Sequence, residues 1–268
     1  MTTQFQIAGG TVTGREHYRL HTNGQDAYHI VQRGETSVAV VCDGCGDRAS
    51  KHSEVGAAVG ARMIAHRLAN VLSSEAGRFA TAEEAERVLE QVRREMLGAL
   101  RKLAHGMSDN PVEAISECLL FTVVGCAITG EHAVFFSLGD GMIVVNGRAT
   151  RIGPYPDNAP PYLAYALLPD CRGQDDLRFT LHAHLSTEEL DTFLIGSDGV
   201  NGLIDAACAG DIEAFRTDPL NYENPYAISN KLRLLNTERT EIDWQEHRKS
   251  VQRGVLPDDT TLIVGRKQ

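Results

Sequence analysis

Short blocks of valine, isoleucine, leucine and phenylalanine recur along the chain, and the period within each block predicts what it forms. Residues 36–42, TSVAVVC, run apolar without alternating, as expected of a strand buried on both faces. Over 53–72 the apolar residues Val55, Val59, Met63, Leu68 and Leu72 fall at helical spacing and predict a helix with one buried stripe. Thr81 followed by Glu84 has the form of a capping box opening a second long helix. Its expected core face is Val88, Leu89, Val92, Met96, Leu100 and Leu103, and Ser108-Asp109-Asn110-Pro111 ends it.

A β-rich block follows. Residues 119–128, 133–138 and 142–145 are expected as adjacent antiparallel strands, with Asn146-Gly147 as a hairpin turn. Five of the nine prolines lie between Pro154 and Pro169, which predicts an irregular excursion. From 177 to 185 the pattern alternates, placing Leu177, Phe179, Leu181, Ala183 and Leu185 on one face. Arg178, Thr180, His182 and His184 occupy the other, which reads as a solvated face rather than a His-x-His metal pair. Residues 192–195 predict another buried strand. The stretch 205–250 reads as helical and mostly polar, with Ile228, Leu232 and Leu235 as a short stripe. PDDTTLIVGR closes the chain as a strand that begins right after two aspartates. Helices that arrive in blocks rather than alternating with strands favour an α+β fold over a doubly wound one. No repeat or low-complexity linker divides the chain, so residues 1–268 are expected to form one domain.

Charge narrows the partners. Lys and Arg number 26 against 36 Asp and Glu, a formal net charge of -10, which argues against nucleic acid and suits carboxylates that hold cations. The apolar runs are strand-length and the start lacks a basic segment with an apolar core, so neither membrane nor secretion is expected, and the cytoplasm is. Cys42 and Cys45 have C-x-x-C spacing, the one hint of zinc or redox chemistry. Cys118, Cys126, Cys171 and Cys208 stand alone and supply no second pair, so small buried thiols are the better reading.

Aspartate bounds four of the apolar runs: Asp43 after VAVVC, Asp140 after FFSLG, Asp198 after FLIGS, and Asp258-Asp259 before TTLIV. Asp26, in NGQDAYHI, leads a fifth. A single Asp-Gly after a strand is an ordinary turn. Several carboxylates on one sheet edge would repel one another unless divalent cations neutralised them, and an all-oxygen set favours magnesium or manganese over zinc. Two such ions are a recurrent device for hydrolysing phosphoesters. No G-x-S-x-G and no P-loop competes with that account.

With these motifs the chain resembles the metal-dependent Ser/Thr protein phosphatases of type 2C, in their compact bacterial form. The matching pieces keep the family's order: QDA at 25–27, VCDGCGD around Asp43, SEVGA at 53–57, LGDG at 138–141, SDGV at 197–200 and DDTTLIV at 258–264. The resemblance implies a four-layer αββα sandwich of two antiparallel sheets flanked by helices, with two Mn2+ or Mg2+ ions, and room for a third, in a cleft at one end. It implies Asp43 as bridging ligand, Gly44 as carbonyl donor to one ion, Asp198 and Asp258 on the other, and Asp26 holding the first directly or through water. Asp140 matches a third-metal aspartate, Asp259 is implied to position the closing loop, and His17 matches a histidine of the bacterial subgroup. His21, with Arg19 close by, stands where many relatives place a phosphate-binding arginine. Cys45 stands where animal-type relatives carry a histidine, leaving the general acid unassigned, and Gly202 stands where some relatives have another third-metal aspartate.

The implied activity is removal of phosphate from Ser/Thr of proteins, the products of a Ser/Thr kinase, by a metal-bridging hydroxide. The rival is a silent member of the same fold acting as a binding module. A flap-like insertion at about 154–174 is expected to shape substrate access.

Overall fold

The computed structural model describes residues 4–73, 79–169, 177–205 and 209–268. The first half of the chain runs β1 (Phe5–Val12), α1 (Arg15–Leu20), β2 (Asp26–Arg33), β3 (Thr36–Asp43), α2 (Ser53–Leu72), α3 (Ala82–Met107) and α4 (Pro111–Cys118). Strands β4 (Val123–Ile128), β5 (His132–Leu138), β6 (Gly141–Val145) and β7 (Arg148–Ile152) come next. After the short 3-10 segments Pro156–Asn158 and Leu163–Leu167, the chain forms β8 (Thr180–Ser186) and β9 (Thr192–Gly196). Helices α5 (Val200–Asp205), α6 (Ala209–Thr217), α7 (Leu220–Glu223) and α8 (Ala227–Leu235) precede β10 (Arg239–Asp243), β11 (Arg248–Gln252) and β12 (Thr260–Lys267).

Two five-stranded sheets result, ordered β1-β12-β9-β6-β7 and β2-β3-β4-β5-β8, and every pairing in them is antiparallel. The unbroken apolar run of β3 follows from its two neighbours. Val38, Val40 and Cys42 pack with α2 and α3, while Ala39 and Val41 face the other sheet alongside Phe135, Phe193 and Ile263. A third apolar layer joins Met142, Val144, Leu194 and Leu262 to Leu203, Phe215, Ile228 and Leu232 of the second helix set. Helix, sheet, sheet, helix is thus the order of layers, an α+β sandwich.

Several local expectations hold. Helix α2 spans 53–72, and Thr81 caps α3 by accepting from the Glu84 amide at 3.3 Å. Asn146 and Gly147 turn the β6–β7 hairpin with φ of 49° and 83°, the left-handed pair such a turn requires.

Other expectations are corrected. The core face of α2 is Ala57, Ala61, Ile64, Ala65 and Leu68, whereas Val55 is exposed. Small residues there let the helix lie close to its sheet. The strand expected at 119–128 begins only at Val123, because 119–122 crosses behind the end of β3. Strands β5 and β6 are not neighbours: the chain crosses between sheets at Gly139 and Gly141, and β6 pairs with β7 and β9. The region 205–250 is helical only to Leu235, and β10 and β11 form an exposed hairpin. The alternation over 177–185 does not lie on one face, because β8 carries an extra residue at His182.

Candidate metal centre

Ladder register delivers the aspartates. β2 and β3 pair so that Asp26 stands directly opposite Asp43. In the facing sheet β9 ends just before Ser197-Asp198, and β12 begins just after Asp258-Asp259. Asp140 sits in the crossing between β5 and β6. The two sheets are joined here by a hydrogen bond in which Ser197 Oγ donates to Asp26 Oδ2 at 2.6 Å. Asp43, Asp140, Asp198 and Asp258 line one cleft of about 610 Å3. Among the described residues no Lys or Arg lines it.

The electrostatic cost of this arrangement is visible in the carboxyls. Burial pushes Asp26 up to about 7, with the Asp259 charge adding to it. Burial likewise raises Asp43 well above the carboxylate range, helped by Asp26, Asp198, Asp258 and Asp140. Asp198 is pushed up to about 6 by burial and then by Asp140 and Asp258. Asp140 is 6% exposed and is also raised, mainly by burial. Such groups hold protons where exposed carboxylates would be charged. Only a cation, or a proton, settles them. Asp26 Oδ1 is buried and has no hydrogen-bond partner, so it has an oxygen to offer.

Fixed backbone surrounds these side chains. Thr122 N donates to the Asp43 carbonyl at 2.8 Å, and Gly44 N to the Gln25 carbonyl at 3.1 Å. The Gln25 side chain donates to Ser53 Oγ at 2.8 Å and to the Cys45 carbonyl at 3.2 Å, and Ser53 Oγ donates to that same carbonyl at 2.9 Å. A Cβ at Gly44 would lie 2.8 Å from Ser53 Oγ and 2.9 Å from the Gln25 carbonyl oxygen, so only glycine fits.

The two closing aspartates differ sharply. The Asp258 side chain is 59% exposed and lines the cleft. Asp259 is 3% exposed and accepts from the Gly14 amide at 2.6 Å and the Gln25 amide at 2.5 Å. His17 Nδ1 lies 2.9 Å from Asp259, and its Nε2 lies 3.8 Å from Asp258. One buried carboxylate thereby ties the start of α1, the QDA loop and the β12 approach together. The close contact with Asp259 raises the His17 imidazole, against the opposing effect of burial.

Arg19 and His21 stand apart. The Arg19 guanidinium pairs with Glu16 at 3.2 Å on the exposed side of α1, and His21 is the exposed C-cap of that helix. Neither lines the cleft, whereas His17 of the same helix does. Cys42 is fully buried and its thiol is pushed well up by burial and Asp43, the reverse of a metal-binding or redox thiolate. Cys45 is buried and free. Cys171 and Cys208 lie outside the described residues.

Among the described residues, no three His, Cys, Asp or Glu side chains close on one point tightly enough to enclose an ion unaided. Spread carboxylates suit ions such as Mg2+, which dehydrate reluctantly and keep several waters, better than they suit a closed zinc cage. The feature least legible in sequence is the work of His17 and Asp259. Its only signal is a second aspartate beside the first.

Comparison with known proteins is consistent with this geometry. A family model described as Protein phosphatase 2C matches residues 13–236. The fold is similar to that of the serine/threonine phosphatase Stp1 from Staphylococcus aureus, at 15% identity over 99% of this chain and 96% of that one, TM-score 0.57. It is similar to the S. agalactiae serine/threonine phosphatase at 16% identity over 98% and 99%, TM-score 0.58. The catalytic domain of the serine threonine protein phosphatase PstP, in complex with two manganese ions, matches at 16% identity over 99% of both chains, TM-score 0.57. No curated protein matches the sequence significantly.

Proposed function

We propose that this chain, which belongs to the protein phosphatase 2C family, removes phosphate from serine and threonine side chains of proteins with the help of divalent ions. One observation carries the reading: four strand-end aspartates line one cleft, Asp26 buried beside them, with no Lys or Arg among the described lining residues to balance them. Asp43 is assigned as the ligand shared by two ions, with the Gly44 carbonyl on one of them. Asp198 and Asp258 are assigned to the second ion, Asp26 to the first, and Asp140 to a third. Mn2+ or Mg2+ suits this all-oxygen set, and when bound such ions activate water, orient the phosphate and offset its charge.

The chain's own residues do the holding. Asp259 fixes the loop that presents Asp258, and Gln25 with Ser53 fixes the loop that presents Gly44. Tyr162 and Tyr165 line the cleft together with the aspartates. Arg19 and His21 receive no role in phosphate binding, since both lie outside the cleft. The substrates are phosphoproteins made by a Ser/Thr kinase, and the setting is the cytoplasm. Among the described residues no helix is long and apolar enough to cross a membrane.

Manganese-dependent hydrolysis of an aryl phosphate and of a phosphothreonine peptide tests the reading. Asp43→Asn should lower kcat roughly a thousandfold, the size expected for losing several kcal/mol of charge stabilisation. Full activity in that variant, or no turnover of either substrate by the wild type, would sink the proposal. Tight metal binding without turnover would point instead to a silent binding module.

A further inference from the structure

Strand β8 contains one residue too many. Ala183 pairs with Phe135 and Leu181 with Phe136, so His182 is an extra residue bulged out of the ladder. The bulge changes which side of the sheet each side chain meets. Leu181 and Phe179 pack on the helix side, whereas Ala183 and Leu185 pack between the sheets. His184 turns toward the helices, where its Nε2 reaches the Phe79 carbonyl at 2.9 Å and its ring stacks on His132. His182 turns the other way and meets Ser137 Oγ at 2.8 Å. Ser137 is 2% exposed and pairs in the ladder with Thr180.

These polar groups form a wall of a second cavity, of about 660 Å3, with Arg178 and Tyr155. Ala159, Pro160 and Tyr165 line both this cavity and the aspartate cleft, so the two share a wall and open side by side. Of the described residues that line either one, Arg178 is the single Arg or Lys. Glu90 of α3 feels the Arg178 charge, but its carboxyl is held first by Arg93 at 2.7 Å. A merely solvated strand face would not need a bulge that gathers a buried hydroxyl, an imidazole and a guanidinium on one side.

We propose that this cavity is a substrate subsite that takes an acidic side chain of the phosphoprotein whose phosphorylated residue occupies the aspartate cleft. The inference rests on the phosphatase reading above. Arg178 supplies the charge that selects a carboxylate or a second phosphate, and Thr180 with the Ser137–His182 pair supplies hydrogen-bonding groups deeper in. The aspartate cleft cannot do this itself, because its described lining offers no cationic side chain other than His17.

Phosphothreonine peptides carrying a single Glu, or its Gln counterpart, at successive flanking positions test the proposal in the presence of Mn2+. At one position or more, KM for the Glu peptide should fall about threefold below its Gln partner, the scale of a partly exposed ion pair. Arg178→Ala should erase that preference, Arg178→Lys should restore part of it, and Arg101→Ala on the exposed face of α3 should keep it. No preference at any position, or one that survives in Arg178→Ala, overturns the subsite. Fluorescence anisotropy of the same labelled peptides reads the preference without turnover. Inorganic phosphate that abolishes the Glu preference without raising KM for the Gln peptides would make the cavity a small-anion site and overturn its role for a side chain. Wild-type turnover of an aryl phosphate, too small to reach the cavity, tests the phosphatase reading alone.

Discussion

The two walls of the cleft are built in opposite ways. On one, the positions of Asp26, Asp43, Asp198 and Asp258 are set by where ladders begin and end, and Asp26 faces Asp43 because β2 and β3 pair residue by residue. On the other, residues 153–169 follow no ladder. Among the described residues that wall is anchored by Leu163, Ala164 and Leu167 sunk into the helix-side core and by a backbone bond from Leu163 N to the Phe121 carbonyl at 3.3 Å. Asp157 and Asn158 at its rim even adopt left-handed φ of 54° and 52°. A ladder end holds a charge where many hydrogen bonds agree, whereas an anchored loop can be re-cut without disturbing them. On the proposed reading, chemistry belongs to the first wall and access to the second.

The hardest test of that division removes charge from the ladder wall. Asp198→Asn should cost roughly a thousandfold in kcat on aryl phosphate and phosphopeptide alike, since several kcal/mol of charge stabilisation is lost whatever the leaving group. A loss confined to the peptide would contradict the division. Next in size is the loop wall. Leu163 is fully buried, so Leu163→Ala should destabilise the protein by about 2–5 kcal/mol in denaturant unfolding. At temperatures where the variant is folded, it should raise KM for peptides while leaving kcat on aryl phosphate nearly intact. Equal loss on both substrates would mean the loop serves the chemistry as well.

The same contrast explains what the sequence discloses. A short apolar run followed by Asp-Gly marks the ladder ends at Asp43 and Asp198, and an aspartate leading into an apolar run marks the ladder starts at Asp26 and Asp258, so each aspartate of the first wall is legible from a few adjacent residues. Their convergence is legible only as a set. The second wall is spelled by prolines and by scattered Tyr162, Leu163 and Leu167, with no period to read. The bulge at His182 is hidden for a different reason. Alternation from Leu177 to Leu185 continues straight through the extra residue, so the pattern predicts one face where the ladder makes two. The hairpin of β10 and β11 packs its strands on each other with all of their residues exposed, and exposed strands lack the apolar alternation that reveals buried ones.

The crowded carboxyls of the first wall give a pH signature that the second lacks. In metal-stripped protein Asp26 and Asp198 sit near 7 and 6, above the 3.8 of an ordinary aspartate. A folded-state value above the unfolded one contributes stability that is complete below the unfolded value and is lost as pH rises through the folded one. Chelated wild type should therefore lose this contribution between about pH 4 and pH 7, the window those values set. Asp26→Asn should narrow the loss, so that its melting temperature relative to wild type climbs as pH rises across the window. Added Mn2+ should flatten the wild-type trend by taking the place of the protons. A difference between the two proteins that stays flat with pH would mean the carboxyls are not crowded in solution.

The smallest test concerns one hydrogen atom on the first wall. Gly44→Ala places a methyl group 2.9 Å from the Gln25 carbonyl oxygen and 2.9 Å from the Ser53 carbonyl carbon, both backbone atoms that cannot rotate aside. The Ser53 hydroxyl, at 2.8 Å, could turn, but only by breaking its bond to the Cys45 carbonyl. Either the QDA loop or the start of α2 must shift, at a cost of about 1–3 kcal/mol for overpacking. Because Gln25 precedes Asp26, that shift should also weaken the stabilisation that Mn2+ gives in thermal melts. Gly46→Ala is the matched control: its methyl would meet only Gln25 Oε1 at 3.6 Å, an ordinary contact. If Gly46→Ala costs as much as Gly44→Ala, the loop tolerates neither substitution for reasons unrelated to close approach. If Gly44→Ala alone lowers both stability and the Mn2+ effect, the ladder wall is as intolerant of a single methyl as its fixed geometry requires.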